Sequence, residues 1–376
     1  MNELTPTART WAEIDLAALK HNYEIARKTG KKVMCVIKAD AYGHGAVRCG
    51  RYLERCGADA FAVACLKEAL ELRDGGITKP ILVLGYTPAE YAELLAKRDI
   101  TQTLVDESHA QELNRAAGQA GVTLQGHIKL DTGMGRAGLM AQGRDAALEA
   151  AQAAERVTAL PHIQVTGMYT HFSVADTPGQ NAYTAWQLAN YNTVMDYLTE
   201  KGIRPVTCHT SNSAGILYHP ETQIDMVREG IILYGMYPDS NPQYGPLKPV
   251  MTLKTRVSQV RDFPAGATVS YGRTFRGDQP FTTAVMLAGY ADGYPRRLSN
   301  QTTVTINGAR YPQAGRICMD MTMALVDGAK VKRGDEVTLI GGDSISWEEA
   351  AQLVGTINYE LTCLVTGRAP RVYVNE

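Results

Sequence analysis

A lysine follows a buried apolar run near the start of the chain, in the stretch VMCVIKADAYGHG, residues 33 to 45. The apolar run is typical of a strand covered on both faces, so Lys38 stands where that strand leaves the core. A partly desolvated lysine has a lowered pKa and can form a Schiff base with an aldehyde. Tyr42 and the two glycines after it would let a loop close over a phosphate with backbone donors. An aldehyde and a phosphate on one ligand indicate pyridoxal 5'-phosphate, and a solvated surface lysine is the plainer alternative.

An arginine lies in a second glycine-rich stretch, GMGRAG, residues 133 to 138, which matches the G-x-G-x-x-G pattern of dinucleotide-binding turns. That motif needs a helix that opens at the glycines, whereas the following LMAQGRD delays the helix and Arg136 would occupy the phosphate turn. We therefore interpret the stretch as a loop between a strand and a helix. Such a loop would present the guanidinium of Arg136 as a fork of donors to anionic groups.

Short apolar segments alternate with helical segments from residue 33 to about 240, and this alternation predicts the elements that position these residues. The helical segments include LKEALELRDGG, with its terminal glycines, and PAEYAELLAKRD, with its N-terminal proline. Eight alternating units predict a (β/α)8 TIM-type barrel, an α/β fold whose C-terminal strand ends build the site. The eight strands are predicted to begin near VMCVIK, AFAVAC, ILVLGY, TQTLVD, LQGHIKLD, QVTGMYTHF, PVTCHTS and IDMVREG.

The pattern changes after LYGMYPDSNPQYGPLKP, residues 233 to 249, which we interpret as a linker because it is rich in proline and glycine. Strand-like runs follow, among them TVSYGRTF, and the pair Asn307-Gly308 is a hairpin signal. We therefore predict a barrel domain over residues 1–247 and a mainly β domain over residues 248–376. The first residues, ahead of the first barrel strand, are free to pair with the C-terminal domain.

Composition excludes several classes of protein. A chain of 376 residues exceeds the usual size of one core, and 45% hydrophobic with 20% charged residues is ordinary for a globular protein. A net charge of -1 gives no sign of a nucleic-acid partner. Seven cysteines without a CxxC pair argue against a disulfide framework or a metal site. Because neither a signal peptide nor a membrane-spanning run is visible, we expect a reduced, cytoplasmic protein without a membrane partner.

The stretch VIKADAYGHG resembles the cofactor-lysine signature of the alanine racemases, which are fold-type III pyridoxal-phosphate enzymes. The resemblance covers essentially the whole chain, and it implies a Schiff base between pyridoxal 5'-phosphate and Lys38. It also implies a homodimer with shared active sites that interconverts L-alanine and D-alanine and supplies D-alanine for peptidoglycan. Further similar segments follow in the expected order: KLDTGMGRAG (129 to 138), THFSVAD (170 to 176), HTSNSAGIL (209 to 217), VREGIILYG (227 to 235), VSYGRTF (269 to 275), GYADGYPRRL (289 to 298), GRICMDM (315 to 321) and INYELTC (357 to 363).

The resemblance implies a two-base mechanism, with one base on each face of the substrate Cα. Lys38 would serve the face of the D-enantiomer, and Tyr271 of the partner subunit the face of the L-enantiomer. A phenol with an ordinary pKa of about 10 needs nearby positive charge to act as a base at neutral pH. By resemblance that charge comes through His171 and Arg228. Without the family context, a packing role for Tyr271 and a core role for His171 are the plainer alternatives.

The resemblance also implies the remaining contacts. Arg136 and the amide of Met319 would bind the substrate carboxylate, and Asp320 would support them. Lys129 is either carbamylated, as N6-carboxylysine, or unmodified and paired with Asp131. Asn212 and Ser213 suit a phosphate cup and equally an ordinary helix N-cap. The cofactor contacts implied as a set are Lys38, Tyr42, Arg136, His171, Asn212, Ser213, Arg228, Gly230, Ile231 and Tyr359.

An arginine that faces the pyridine nitrogen cannot accept its proton, so Arg228 implies a weak electron sink that favours prompt reprotonation. A fold-type III decarboxylase would carry an acidic residue there. A racemase for serine or several small amino acids differs only in its pocket lining, and Tyr359 favours alanine because it narrows the pocket. A non-catalytic pyridoxal-phosphate carrier would have no role for residues 248–376. Glu229 departs from the family, which often has proline at this position.

Overall fold

The structure is a computed structural model that describes residues 9–238 and 247–376. The predicted linker, residues 233 to 249, therefore falls partly outside the described residues. Strands are numbered along the chain: β1 (Thr10–Asp15), β2 (Lys32–Val36), β3 (Ala60–Val63), β4 (Ile81–Val83), β5 (Ile100–Leu104), β6 (Leu124–Asp131), β7 (Leu139–Met140), β8 (Ile163–Tyr169), β9 (Thr207–His209), β10 (Met226–Glu229), β11 (Met251–Phe263), β12 (Thr268–Val269), β13 (Phe275–Arg276), β14 (Phe281–Met286), β15 (Thr303–Ile306), β16 (Ala309–Pro312), β17 (Thr322–Leu325), β18 (Glu336–Ile340) and β19 (Arg371–Val374).

Helices alternate with the first ten strands and are sparse in the second half of the chain. Several end at a glycine in the left-handed region, such as Gly121 and Gly57, as is common for helix C-termini. The helices are α1 (Leu16–Arg27), α2 (Lys38–Tyr42), α3 (Ala46–Cys56), α4 (Leu66–Asp74), α5 (Ala92–Lys97), α6 (Glu107–Ala120), α7 (Arg144–Thr158), α8 (Asn181–Glu200), α9 (Ser213–Tyr218), α10 (Trp347–Val354) and α11 (Asn358–Cys363).

Eight parallel strands form a nearly closed barrel in the order β10-β2-β3-β4-β5-β6-β8-β9, which confirms the predicted strands and the barrel fold. Strands β3, β4 and β5 are buried throughout, because helices cover the outside of a parallel barrel. At the seam between β9 and β10, a hydrogen bond of 3.0 Å runs from the Arg228 amide to the Ser211 carbonyl. The C-terminal ends of all eight strands therefore meet at one mouth.

The second half of the chain is mainly β, as predicted. Its larger sheet has the order β16-β15-β18-β11-β1-β19, and β14 and β17 extend it from β11. Strand β1 lies in this sheet, antiparallel to β11 and parallel to β19, so the chain begins its described part there before it enters the barrel. Apolar residues of both halves belong to one continuous core, in which the Trp347 indole donates to the Met251 carbonyl at 2.8 Å.

Two local predictions have opposite outcomes. Asn307 and Gly308 form the two-residue turn between β15 and β16 with φ angles of 52° and 78°, as the hairpin signal predicted. The continuous strand predicted for TVSYGRTF is wrong, because a 3-10 turn, Tyr271–Arg273, separates β12 from β13. Positive φ angles at Ser270 and Arg273, 64° and 52°, break the extended conformation. In the described part of the chain, no helix is both long and apolar enough to cross a membrane.

Candidate active site

Lys38 lies at the C-terminal mouth of the barrel, two residues after the end of β2 at Val36. The next four residues, Ala39 to Tyr42, have φ angles of 51°, 53°, 54° and 53° and form a turn of left-handed helix. Left-handed conformation costs a non-glycine residue about 1–2 kcal/mol, so this segment stores strain next to the lysine. Strain of this kind persists only where the surrounding contacts over-determine it.

Two carboxylates hold the strained turn. Glu68 accepts hydrogen bonds from the amides of Ala39 and Ala64, both at 2.7 Å, and so ties the turn to the end of β3. Asp40 accepts from the Ala46 amide at 2.7 Å and ties it to the start of α3. These side chains fix the direction in which the chain leaves β2, and therefore the position of Lys38.

The glycines after Tyr42 serve the turn itself. Gly43 has a φ of 84°, and a Cβ there would overlap the carbonyl of Thr362 in α11. The Gly43 amide donates to Ala39 at 2.9 Å, and the Gly45 amide donates to Asp40 at 2.9 Å. The prediction that backbone donors of these glycines cover a phosphate is therefore wrong, because both amides are already used inside the loop.

Arg228 is buried near the end of β10. Three backbone carbonyl groups accept hydrogen bonds from the two terminal nitrogens of its guanidinium. Its Nη1 donates to the His209 carbonyl at 2.8 Å and to His209 Nδ1 at 3.0 Å. Its Nη2 donates to the carbonyls of Thr170 and Thr210 at 2.7 and 2.9 Å and to His171 Nδ1 at 3.3 Å. Burial lowers the pKa of Arg228 to about 10, so it stays cationic at neutral pH. Within the described residues, Nε–H makes no hydrogen bond and remains available to a ligand.

The bond from Arg228 fixes the tautomer of His171. An arginine can only donate, so in this contact His171 Nδ1 accepts a hydrogen that Nη2 shares with one of the two carbonyls, and the proton of the neutral ring then lies on Nε2. Burial and then the charge of Arg228 lower the pKa of His171 well below its ordinary value, which keeps the ring neutral. His171 therefore presents an Nε2–H donor on the side away from Arg228.

Asp131, at the end of β6, organises the glycine-rich loop that carries Arg136. Its carboxylate accepts hydrogen bonds of 2.9 to 3.1 Å from the amides of the four residues 133 to 136. The loop is therefore a nest of backbone donors around one carboxylate, and no helix opens at its glycines. This geometry supports the interpretation that the loop presents Arg136 and does not bind a dinucleotide.

Lys129 is buried within β6 and forms no ion pair with Asp131 in the described part of the chain. Burial, followed by the charge of Arg136, lowers its pKa to about 8. The pKa of Lys38 is lowered for the same reasons, first by burial and then by the charge of Arg136. The negative charge of Glu68 partly offsets this decrease. The charges of Arg228, Arg136, Lys129 and Lys38 all depress the pKa of His171. These basic groups converge on one place, which suits an anionic ligand.

A small cup with polar walls lies beside this basic cluster. The Gly230 amide donates to Ser213 Oγ at 3.0 Å, which leaves the hydroxyl proton of Ser213 free to donate elsewhere. A Cβ on Gly230 would lie 3.2 Å from Tyr42 Oη and 3.4 Å from Ser213 Oγ, so the glycine keeps the cup open. Ile231 begins the 3-10 turn behind it, and the rings of Tyr359 and Tyr42 are 6.1 Å apart. Hydroxyl donors such as those of Ser213 and Tyr42 fit a phosphate group.

Asn212 supports the cup from the next element. It is the N-cap of α9, since its Oδ1 accepts from the Gly215 amide at 2.9 Å, and its Nδ2 reaches the Phe172 carbonyl at 3.4 Å. The N-cap alternative therefore holds for Asn212. Ser213 is the residue that faces Gly230, so the capping and the cup-forming roles belong to neighbouring residues.

Tyr271, Met319 and Asp320 lie apart from the basic cluster. Tyr271 is 69% exposed and Met319 is 52% exposed, which is unusual for large apolar side chains. The segments that carry them are in contact, because Ser270 Oγ donates to the Arg316 carbonyl at 2.6 Å and lies 3.3 Å from Cys318 Sγ. Asp320 accepts from Arg368 at 2.6 Å and holds the Met319 loop to the domain. No hydrogen bond, ion pair or ring contact joins Tyr271 to Lys38 within the residues that the structure describes.

Sequence reasoning gave no role to three residues of this site. Glu68 clamps the turn after Lys38, His209 is the chief partner of Arg228, and His127 donates to or accepts from His209 at 2.9 Å. A usable signal existed for Glu68, since an acidic residue in the first turn of a helix is free to reach nearby amides. Buried histidines offer no such signal, because core histidines are common.

The family-model comparison assigns both halves of the chain. Residues 14–238 match the model described as alanine racemase, N-terminal domain, and residues 250–373 match the model described as alanine racemase, C-terminal domain. The chain belongs to the alanine racemase family. Its similarity to curated alanine racemases covers nearly the whole chain. It is 43% identical to that of Desulfosudis oleivorans, over 97% of this chain and 96% of the relative. It is 42% identical to that of Clostridium novyi, over 97% and 95% of the two chains.

Solved structures agree with this family membership. The alanine racemase of Clostridium difficile 630 is 40% identical and superposes with a TM-score of 0.91, over 98% of this chain and 97% of that one. The alanine racemase of Bacillus anthracis with bound L-Ala-P is 34% identical with a TM-score of 0.87, over 98% and 96% of the two chains. The alanine racemase fold thus accounts for both domains of this chain.

Proposed function

We propose that this protein is an alanine racemase that interconverts L-alanine and D-alanine with pyridoxal 5'-phosphate. The observation that carries the proposal is the convergence of Lys38, Lys129, Arg136 and Arg228 around His171, next to the cup at Gly230. The names of the curated relatives support the substrate. Tyr359, near the cup, favours alanine over serine because a tyrosine leaves less room for a larger side chain.

The residues present fit the cofactor. The cup of Tyr42, Ser213 and Gly230 would hold the phosphate, with Ile231, Asn212 and Tyr359 around it. The amine of Lys38 has a lowered pKa and is the group that would bind the aldehyde. The free Nε–H of Arg228 would donate to the pyridine nitrogen. When bound, pyridoxal phosphate would delocalise the electron pair left at the substrate Cα.

Arg228 favours racemisation over decarboxylation by an enzyme of the same fold. Its guanidinium is held by carbonyls and by two neutral histidines, so it can donate to the pyridine nitrogen but cannot protonate it. A fold-type III decarboxylase would need an acidic group at this position. With Arg228 at this position the bound cofactor would be a weak electron sink, which would favour prompt return of a proton to the substrate Cα.

Two bases would move the protons. Lys38 would take or return the proton of Cα on one face, and Tyr271 of the partner subunit would do so on the other. His171 is set up for the second base, because its Nε2–H can donate to a phenolate oxygen and stabilise the charged form. Arg136, which the Asp131 nest positions, would bind the substrate carboxylate together with the Met319 amide of the partner subunit.

A shared site implies a homodimer. The exposed apolar residues Tyr271, Tyr290, Met319 and Met321 form one surface of the C-terminal domain and would pack over the barrel mouth of a second copy. The C-terminal domain, which we place at residues 248–376, then has a catalytic role that a non-catalytic carrier would not need. We place the protein in the cytoplasm, where D-alanine would be supplied for peptidoglycan.

Racemisation and hydrogen exchange test the proposal together. Purified protein with added cofactor is given L-alanine, D-alanine or L-serine in deuterated water, and Cα exchange is followed beside racemisation. We expect Tyr271→Phe to abolish racemisation and exchange from L-alanine while exchange from D-alanine persists. The control is Tyr197→Phe on α8, where the hydroxyl only donates to Glu155. A wild type that shows the Schiff-base absorption without racemising alanine would refute the proposal.

A further inference from the structure

A chain of two buried histidines continues from Arg228 into the centre of the barrel. Arg228 donates to His209 Nδ1 at 3.0 Å, and His209 Nε2 lies 2.9 Å from His127 Nδ1. The ring of His209 also stacks on Tyr169, with 4.7 Å between centroids and an angle of 11°. The position of the His209 ring is therefore fixed on its face and at both nitrogens.

The hydrogens of this chain follow from one fact, that a guanidinium has no acceptor. His209 Nδ1 must accept from Arg228, so the proton of a neutral His209 lies on Nε2. His127 Nδ1 must then accept that proton, and its own hydrogen lies on Nε2. Burial keeps both rings neutral, since it lowers the pKa of His127 to about 4 and the pKa of His209 well below its ordinary value. Each histidine thus has one permitted tautomer.

The His127 ring occupies the space that a side chain at residue 167 would need. Gly167 of β8 is paired with His127 of β6, and a Cβ on Gly167 would lie 2.6 Å from His127 Nε2. The far side of His127 borders a cavity of about 210 Å³ at the N-terminal end of the barrel, where Gln125 and Thr166 also line it. Because residue 167 has no side chain, the His127 ring can lie over β8 and reach His209 on β9, the next strand of the barrel.

We propose that His127 is a positioning residue for the reaction: it accepts the Nε2–H of His209, and so stabilises the one tautomer whose Nδ1 can accept from Arg228. Without an acceptor at His127, the buried Nε2–H of His209 has no partner, which destabilises this tautomer. The other tautomer would aim Nδ1–H at a donor of Arg228 and break their hydrogen bond. The effect on the reaction rests on the proposed function, whereas the tautomers do not.

The tautomers can be read directly. In protein with 15N-labelled histidine, NMR of the cofactor-free and the loaded forms at neutral pH should show His209 and His127 neutral with the proton on Nε2. Spectra of His127→Asn assign the His127 signals. A wild-type His209 that carries its proton on Nδ1, or on both nitrogens, would overturn the inference whatever the activity of the enzyme.

Two substitutions of His127, of nearly equal shape, test whether its acceptor affects catalysis. His127→Leu removes the acceptor, whereas His127→Asn keeps an oxygen close to the position of Nδ1. We expect kcat for alanine to fall about ten- to a hundredfold in the leucine variant, the range expected for an unpaired buried donor. The KM should change little, because Arg136 is untouched, and the asparagine variant should recover most of the loss. The absorption of the bound cofactor should change only in the leucine variant.

Gly167→Ala provides an independent route to the same effect, because the added Cβ would displace the His127 ring without removing it. Equal kcat values for the leucine and asparagine variants, with a properly folded leucine variant, would refute the positioning role. If the leucine variant fails to fold, the NMR result and Gly167→Ala decide. A wild type that shows the expected tautomers but does not racemise alanine would refute the proposed function and leave the His127–His209 arrangement standing.

Discussion

A mixed dimer distinguishes a site shared between two chains from a site within one chain. In the described residues Tyr271 is 69% exposed and makes no contact with Lys38, so we assign these two residues of one site to different subunits. The perturbation is a dimer in which one chain carries Lys38→Ala and the other carries Tyr271→Phe. Two different affinity tags, one on each chain, allow the mixed dimer to be purified after co-expression.

The expected magnitude follows from counting sites. If the site is shared, one of the two sites in this dimer combines both substitutions, and the other combines an intact Lys38 with an intact Tyr271. The mixed dimer should therefore have about half of the wild-type kcat per dimer, and each parent homodimer should have essentially none. If each chain held a complete site, both sites would be damaged and the mixed dimer would be inactive.

The matched control places both substitutions on one chain and pairs it with a wild-type chain. A shared site then leaves each site with one damaged base, so this dimer should be inactive. A site within one chain would leave the wild-type chain intact and give about half of the activity. Racemisation of L-alanine is measured for both dimers at equal cofactor content. Activity in the control dimer and none in the first would refute the shared site.

Three further predictions concern the cup, a buried acid and Lys129. Gly230→Ala should weaken cofactor binding about tenfold in an absorption titration, because the added Cβ would lie 3.2 Å from Tyr42 Oη. The control is Gly367→Ala, whose Cβ would have no atom within 4 Å and which should leave cofactor binding unchanged. Glu229 is fully buried with both carboxyl oxygens unpaired, and burial raises its pKa well above 4.5. The folded state therefore keeps a proton that the unfolded state loses, so stability should fall by up to about 1.4 kcal/mol per pH unit above 4.5. Urea unfolding should show Glu229→Met without this slope; an equal slope in both proteins would contradict the assignment. Lys129, with a pKa of about 8, should take up 13C-labelled carbon dioxide as a carbamate in NMR, more at pH 8.5 than at pH 6.5, and Lys129→Arg should not.

The barrel was predictable because its strands are short apolar runs of the kind that a covered parallel sheet requires, and their ends carry Lys38, Asp131 and Arg228. The conformation after Lys38 was not predictable. Ala39 and Ala41 have no intrinsic preference for the left-handed region, and the carboxylates of Glu68, on α4, and of Asp40 hold the turn there. Local sequence cannot report a conformation that tertiary contacts impose.

Local sequence also failed to report the conformation around Tyr271, the proposed second base. The sequence places Tyr271 in a strand-like run, yet Ser270 and Arg273 take positive φ angles and turn the tyrosine outward. A residue type and its spacing can suggest a base, but they do not say which molecule supplies it. Exposure is the observation that bears on this question: the Tyr271 side chain is 69% exposed, and within the described residues it makes no hydrogen bond to Lys38 or His171 at the barrel mouth. The proposed roles are complementary, because the His171 Nε2–H would donate and Tyr271, if it acts as a phenolate base, would accept. A dimer that satisfies both would explain why the C-terminal domain exposes its apolar residues.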